Sequence, residues 1–547
     1  MRRALGQRKS AAVLQDDTPT ALDYPAMPQP LPPPSVLPDI SPTRGEITHT
    51  AGAPILCRSG ATAGAPNLPP CGGDGRQPRG GRDRARAFAI SLVFLSAILP
   101  TAAFAHASDR GFVLLLPTGY YMVGGALAVV ASFVVLFLVP PGALRHLSSA
   151  RAPLVTLRAD PRFWTSLASF LFLALLVLAG VTGSRDPLSN PLPLTVWTLF
   201  WIGLTLLTGL VGTVFAFLDP WLAPARLLGA TSRPRRARLL ARVGYTPAVV
   251  QFAAFAWFEL VYPAPDDPAR LALAVALYWA LNLAAILVFG HRAWTRQGEC
   301  FSVFFRMIAR LAIVERLPGG RVRLCLPGGR LARVAPLPLS GVLFLLLALG
   351  SVSFDGFMRT FTWLGFAGIN PLEFPGRSAV AGVNTVGLAA MVAAMALLFF
   401  AAVWLGERLA GGTAPLARVA GLLVWSFVPI ALAYHAAHYL IALLVNGQYA
   451  LAALSDPFSR GWNLFGTADN YIQAGLVMGA QSASVLWNLQ SAAIILGHIL
   501  AVLIAHGLAA RLHKGEAAAM LSQLPLTLLM VAYTIFGLWL LSTPTGA

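Results

Sequence analysis

Ten stretches of roughly 20 apolar residues recur between residue 112 and the C-terminus, and they exclude most folds at once. The hydrocarbon core of a bilayer is about 30 Å thick, and a helix rising about 1.5 Å per residue crosses it in about 20 residues. The stretches lie near 112–139, 163–183, 194–217, 246–262, 269–289, 337–354, 378–405, 419–445, 484–510 and 522–542. Charged residues make up 11% of the chain, against about 25% in an ordinary soluble domain. The short alternating segments of an outer-membrane barrel do not occur. The expectation is an all-α polytopic membrane protein with about 10–11 transmembrane helices, multi-pass in a bacterial inner membrane.

Residues 1–85 are rich in Pro, Gly, Ala and Arg (PQPLPPPSVLPD, GRQPRGGRDRAR). Such a segment buries too little apolar surface to offset its chain entropy, so it is expected to be disordered. Residues 86–105, AFAISLVFLSAILPTAAFA after a run of arginines, read as a signal-like segment or a first transmembrane helix. Cleavage after Ala105 would leave His106 beside a free amine, a pair able to chelate copper. The polytopic domain is then 106–547.

The formal charge of +18 could suggest nucleic acid, but its distribution argues otherwise. Arginine and lysine alternate between loops, roughly 23 on one side against 6 on the other. That is a positive-inside pattern, with anionic headgroups as the partner. It puts the loop 290–336 in the cytoplasm, and 184–193, 355–377 and 446–483 outside. Cys57, Cys71, Cys300 and Cys325 all fall in the tail or the basic loop, where a structural disulfide is not expected.

Within that loop, Phe301, Phe304, Phe305, Ile308 and Leu311 have helical spacing, with Arg306 and Arg310 four apart. The spacing predicts an amphipathic helix over 300–315, lying on the cytoplasmic face. Two short alternating runs in 320–334 predict a small hairpin turning at Pro327-Gly328-Gly329. Asp219-Pro220-Trp221 reads as a helix stop. His291 and Arg292 are expected to snorkel from the end of a span.

Ionisable residues inside apolar spans are costly, so they normally face a bundle interior or a wet cavity. His435 and His438 lie one turn apart in FVPIALAYHAAHYLIALLVNGQ, and His498 falls at similar depth in the next span. Glu259, Asp355 and Asn384 occupy the same outer half. Two readings of the histidines stay open. As ligands, His435, His438 and His498 supply three nitrogens for a divalent metal such as zinc or copper, which lowers the pKa of a bound water; Asp355 and Glu259 are then the catalytic carboxylates. As braces, each imidazole hydrogen-bonds a neighbouring helix. No Walker A, dinucleotide fingerprint or Gly-x-Ser-x-Gly elbow appears in a suitable context.

Five segments carry a resemblance together: HASDRGFVLLLPTGYYMVGG from His106, GECFSVFFRMIARLA from Gly298, VSFDGFMRTFTWLGFAGINPLEFPGR from Val352, VPIALAYHAAHYLIALLVNGQ from Val428, and SDPFSRGWNLFGTA from Ser455. The chain from about residue 100 onward resembles the bacterial integral-membrane proteins called fenitrothion hydrolases. The resemblance implies hydrolysis of an apolar organophosphorothioate triester to a nitrophenol and a dialkyl thiophosphate, in an outward-facing intramembrane cavity. It brings no catalytic residues with it. Two other functions fit the same residues: a transporter or copper-handling protein using the histidines as a relay, and a non-catalytic subunit that works with other membrane subunits.

Overall fold

The computed structural model describes residues 118–136, 138, 149–156, 160–370, 376–473 and 480–543. The expected disordered tail, the signal-like segment 86–105 and His106 lie outside the described residues. So do the first residues of the 112–139 span.

Among the described residues, nine helices are long and apolar enough to cross a membrane, or ten if one bent pair counts as a span. In chain order these are α1 (Thr118–Val135), α2 (Arg162–Thr182), α3 (Pro191–Val211), the bent pair α4 (Pro234–Val243) and α5 (Thr246–Leu260), then α6 (Pro268–Phe289). After the short helices α7 (His291–Gln297) and α8 (Cys300–Ile308) come α9 (Leu339–Met358), α10 (Arg377–Leu409), α11 (Leu416–Ser455), α12 (Ala480–Leu512) and α13 (Glu516–Ser542). Each stretch picked out by hydropathy corresponds to one of them.

Helix starts follow local chemistry. Asn190 caps α3: its Oδ1 accepts from Leu192 N at 3.0 Å, and Pro191 fills the first turn, where no donor is lost. Asp267 caps α6 through Arg270 N at 2.9 Å, again followed by proline. Gly244, at φ +61°, lets α4 and α5 meet at 63°.

α9 is the hub. In its apolar window 89% of residues are buried, against 22% in α1, α2 and α6. Those outer helices display rows of exposed leucines, such as Leu273, Leu277 and Leu281 on α6. A chain that exposes such rows while burying most of α9 presents an apolar girdle.

Three expectations are corrected. The helix predicted over 300–315 is short and not superficial. Cys300, Phe301, Val303, Phe304, Phe305, Met307 and Ile308 are all buried. Phe301 and Phe304 pack edge-on or tilted against Trp201, with ring centroids at 6.5 and 5.4 Å. Aromatics fill both sides of α8, so its apolar stripe meets protein. Its buried start is capped by Glu299, whose carboxylate accepts from Phe301 N (2.9 Å) and Ser302 N (2.5 Å) and also bonds Tyr278.

The hairpin turns elsewhere. β2 (Val314–Arg316) and β3 (Arg321–Cys325) pair across Pro318-Gly319-Gly320, where both glycines have positive φ. β1 (Arg151–Thr156) adds on the other edge, giving the order β1-β3-β2. Arg151, paired to Glu315 at 3.3 Å, ties that added strand down.

His291 does not snorkel. It is buried, and its Nε2 lies 2.7 Å from Asp219 Oδ2, so the presumed helix stop and the presumed span end form one buried pair.

Candidate functional site

α9 and α11 cross so that Asp355, near the end of α9, meets the middle of α11. His438 Nε2 donates to Asp355 Oδ2 at 2.8 Å, and the Tyr439 hydroxyl reaches the same oxygen at 2.8 Å. Arg359, one turn after Asp355, approaches Oδ1 at 3.3 Å. The carboxylate is therefore engaged on both oxygens while buried in the bundle, the condition under which an ionised group persists there.

The Tyr439 hydroxyl also lies 3.3 Å from Glu259 Oε1, at the end of α5. One hydroxyl thus stands between two carboxylates. A hydroxyl has a single hydrogen. With that hydrogen on Asp355, a proton on Glu259 would be donated to the Tyr439 oxygen.

The His435 ring packs against Tyr439 at 4.7 Å and against Trp201 at 4.9 Å. Its Nε2 lies 3.0 Å from the Trp201 carbonyl. A carbonyl only accepts, so this nitrogen carries the hydrogen. Trp201 belongs to a π-helical stretch, Leu194–Leu204, inside α3. Such wide turns often occur at functional positions. Exposure falls off into the cluster: the Arg359 side chain is 53% exposed and that of His438 21%, while Asp355 shows 2%.

The three imidazoles expected to share a metal do not fit that role. His435 is committed to a backbone carbonyl. His498 donates from Nδ1 to Ile494 O at 2.8 Å on its own helix, and its ring faces Tyr533 at 5.9 Å. His438 is held by Asp355. Among the described residues no group of three or more His, Cys, Asp and Glu is placed to hold a metal ion. The physical reason is rotation. Similar depth does not aim a side chain, and α12 turns His498 toward α13.

No protein-family model, curated protein or solved structure matches the chain.

His435, His438, Asp355 and Glu259, all singled out from the sequence, do come together around Tyr439. His498 does not join them. Sequence reasoning passed over Tyr439, Arg359 and Trp201. Tyr439 adjoins His438, and Arg359 follows Asp355 by one helical turn, so both were within reach of helical spacing. Trp201 offered no such signal. Asn384 instead accepts from the Trp363 indole at 2.9 Å and braces α10.

Proposed function

We propose that this is a multi-pass protein of the bacterial inner membrane whose working part is a proton-exchanging site, Glu259–Tyr439–Asp355–His438, on a pathway that transports protons. The observation that carries the reading is the single Tyr439 hydroxyl set between two carboxylates. Such a bridge can relay a proton: one arriving on Glu259 passes to the Tyr439 oxygen as the Tyr439 hydrogen moves to Asp355. Ionisable groups kept inside an apolar bundle usually mark an ion or proton pathway. The arginine distribution supports a site toward the outside and the loop 290–336 in the cytoplasm.

Purified protein in liposomes, given a pH step, should take up protons through this site, and Asp355→Asn or Glu259→Gln should abolish the uptake. Equal uptake in both variants and the parent would sink the reading.

A second reading follows from the pairing of His438 with Asp355, an imidazole oriented by a carboxylate. The chain would then be a hydrolase of apolar phosphorothioate triesters, as the resemblance to fenitrothion hydrolases implies. His438, in its neutral form, would take a proton from water as its oxygen bonds to phosphorus and the aryloxide leaves. No metal step is needed. Fenitrothion turnover present in the parent, insensitive to chelator and lost in His438→Gln, would decide for it.

A further inference from the structure

We infer that the packing of α11, α12 and α13 encloses a file of water that carries protons from the Asp355–His438 site to the opposite end of the bundle, where Glu407 meets His513. The inference rests on the proton-exchanging reading of the outer site and adds the route behind it.

Six buried polar atoms on these helices have no protein hydrogen-bond partner; two, Trp487 Nε1 and Ser491 Oγ, lie toward the start of α12, and four lie deeper: the Tyr434 hydroxyl, His498 Nε2, Thr527 Oγ1 and Gln523 Oε1. The residues of these four are at most 3% exposed. An orphaned buried polar group costs about 1–3 kcal/mol, so several on facing helices point to bound water. They do not lie at random. Tyr434 is one turn from His438 on α11. Its ring stands 5.6 Å from Tyr533, and that of His498 stands 5.9 Å from the same ring. Ser353, two residues before Asp355, gives its hydrogen to Leu349 O (2.7 Å), so Tyr533 donates to Ser353 Oγ. The Tyr533 oxygen is then free to accept.

The line continues along one face of α13. Thr534, Thr527 and Gln523 follow at helical spacing, all buried, and the run from Tyr533 to Gln523 covers about 15 Å. Gln523 Nε2 lies 2.7 Å from His506 Nδ1 on α12, while its Oε1 has no protein partner. At this level Gly406 of α10 packs directly onto the Ser522 carbonyl, and Glu407, the next residue of α10, turns its carboxylate toward Gly412 and His513. Glu407 Oε1 pairs with His513 Nε2 at 2.9 Å, and its Oε2 is again buried without a partner. Since His498 donates from Nδ1, it accepts and returns a proton at Nε2. Thr527 and Gln523 hold the water between the titratable groups. No group is consumed; each proton gained at one end is released at the other.

Full-length protein in potassium-loaded liposomes with a trapped pH indicator, driven by valinomycin, tests the route. The parent should pass protons above the rate of protein-free liposomes. Thr527→Val, Gln523→Leu and His498→Phe should each cut the flux about tenfold, roughly a 1.4 kcal/mol rise in barrier, and the remaining flux should slow in D2O. Folding is checked by thermal unfolding, and three positions are used so that one misfolded variant decides nothing alone. Parent flux no higher than protein-free liposomes, or any folded variant passing protons at the parent rate, overturns the route. Asp355→Asn separates the two readings: loss of flux there with the file variants unaffected sinks the route alone, and the converse sinks the outer site alone.

Discussion

His438 and Asp355 stand 83 residues apart in the chain and 2.8 Å apart in space. The contact joins α9, the most deeply buried helix, to the long α11. Tyr439 and Arg359 are arranged around it. Asp355 takes three donors, and the only one of them that also reaches a second carboxylate is Tyr439.

That arrangement makes Asp355 and Tyr439 unequal. Asp355→Ala strips His438, Tyr439 and Arg359 of a shared acceptor and should cost about 3 kcal/mol. Tyr439→Phe keeps the ring packing on His435 and His438 and removes one hydrogen bond, a loss of about 1 kcal/mol. Unfolding in detergent, with the double variant added, measures the coupling. A double-variant loss equal to the sum of the two single losses would show that Tyr439 and Asp355 do not share a network.

Side of entry is testable by thiol labelling. Ser189 and Asp469 are exposed in loops assigned to the outside, and Arg321 is exposed on β3 in the loop assigned to the cytoplasm. Cys300 and Cys325 are buried, so only Cys57 and Cys71 need replacing by serine. An impermeant maleimide on intact cells should label Ser189→Cys and Asp469→Cys, and label Arg321→Cys only after the membrane is opened. The reverse pattern would invert the topology.

Much of this was legible before any coordinates. Apolar runs report helix length directly, because an isolated span in lipid must satisfy its own backbone. Hence all ten stretches have matching helices. The site was half legible: Glu259, Asp355, His435 and His438 stand out by being ionisable in apolar surroundings. Where each side chain points was not legible. A depth estimate fixes height along the axis and leaves rotation open, so His498 was grouped with α11 although it turns to Tyr533. The same limit misplaced α8. A stripe of Phe301, Phe304 and Phe305 at helical spacing looks alike whether lipid or Trp201 covers it. The hairpin was missed by a rival signal: Pro318-Gly319-Gly320 and Pro327-Gly328-Gly329 are equally good turns, and only the pairing with Arg151–Thr156 selects the first.

The buried position of α8 has a direct consequence. Phe304 is 5% exposed and stacks 5.6 Å from Phe252. Phe304→Ala should therefore cost about 3–5 kcal/mol, as for any core aromatic. A helix lying on a lipid surface would lose far less. A drop in melting temperature too small to detect would restore the surface position.

Glu299 gives a pH dependence of definite sign. Burial pushes its carboxyl above the ordinary carboxylate range, against the opposing hydrogen bonds from Ser302, Tyr278 and Phe301. The folded chain therefore binds this proton more tightly than the unfolded chain does. That contribution is whole below the unfolded value and is lost as pH rises through the folded value. Subtracting Glu299→Gln from the parent should leave a stability difference that declines from about pH 4 upward. Melting curves at stepped pH measure it, and a difference rising with pH would contradict the burial.

Two glycines should respond to the same substitution with opposite sign. A Cβ on Gly406 of α10 would land on the Ser522 carbonyl of α13, backbone that cannot swing aside. Ser522 lies in a turn already constrained by Pro525, which offers no hydrogen-bond donor to the preceding turn. Gly406→Ala should therefore push α10 off α13 and cost about 3 kcal/mol. Gly447 of α11 meets nothing within 4 Å. Alanine there removes only the conformational freedom of a helical glycine and should stabilise by about 0.5–1 kcal/mol. Thermal unfolding of the two variants side by side reads both signs. If Gly406→Ala melts with the parent, α10 and α13 are not in backbone contact, and the packing of Gly406 on Ser522 has to be redrawn.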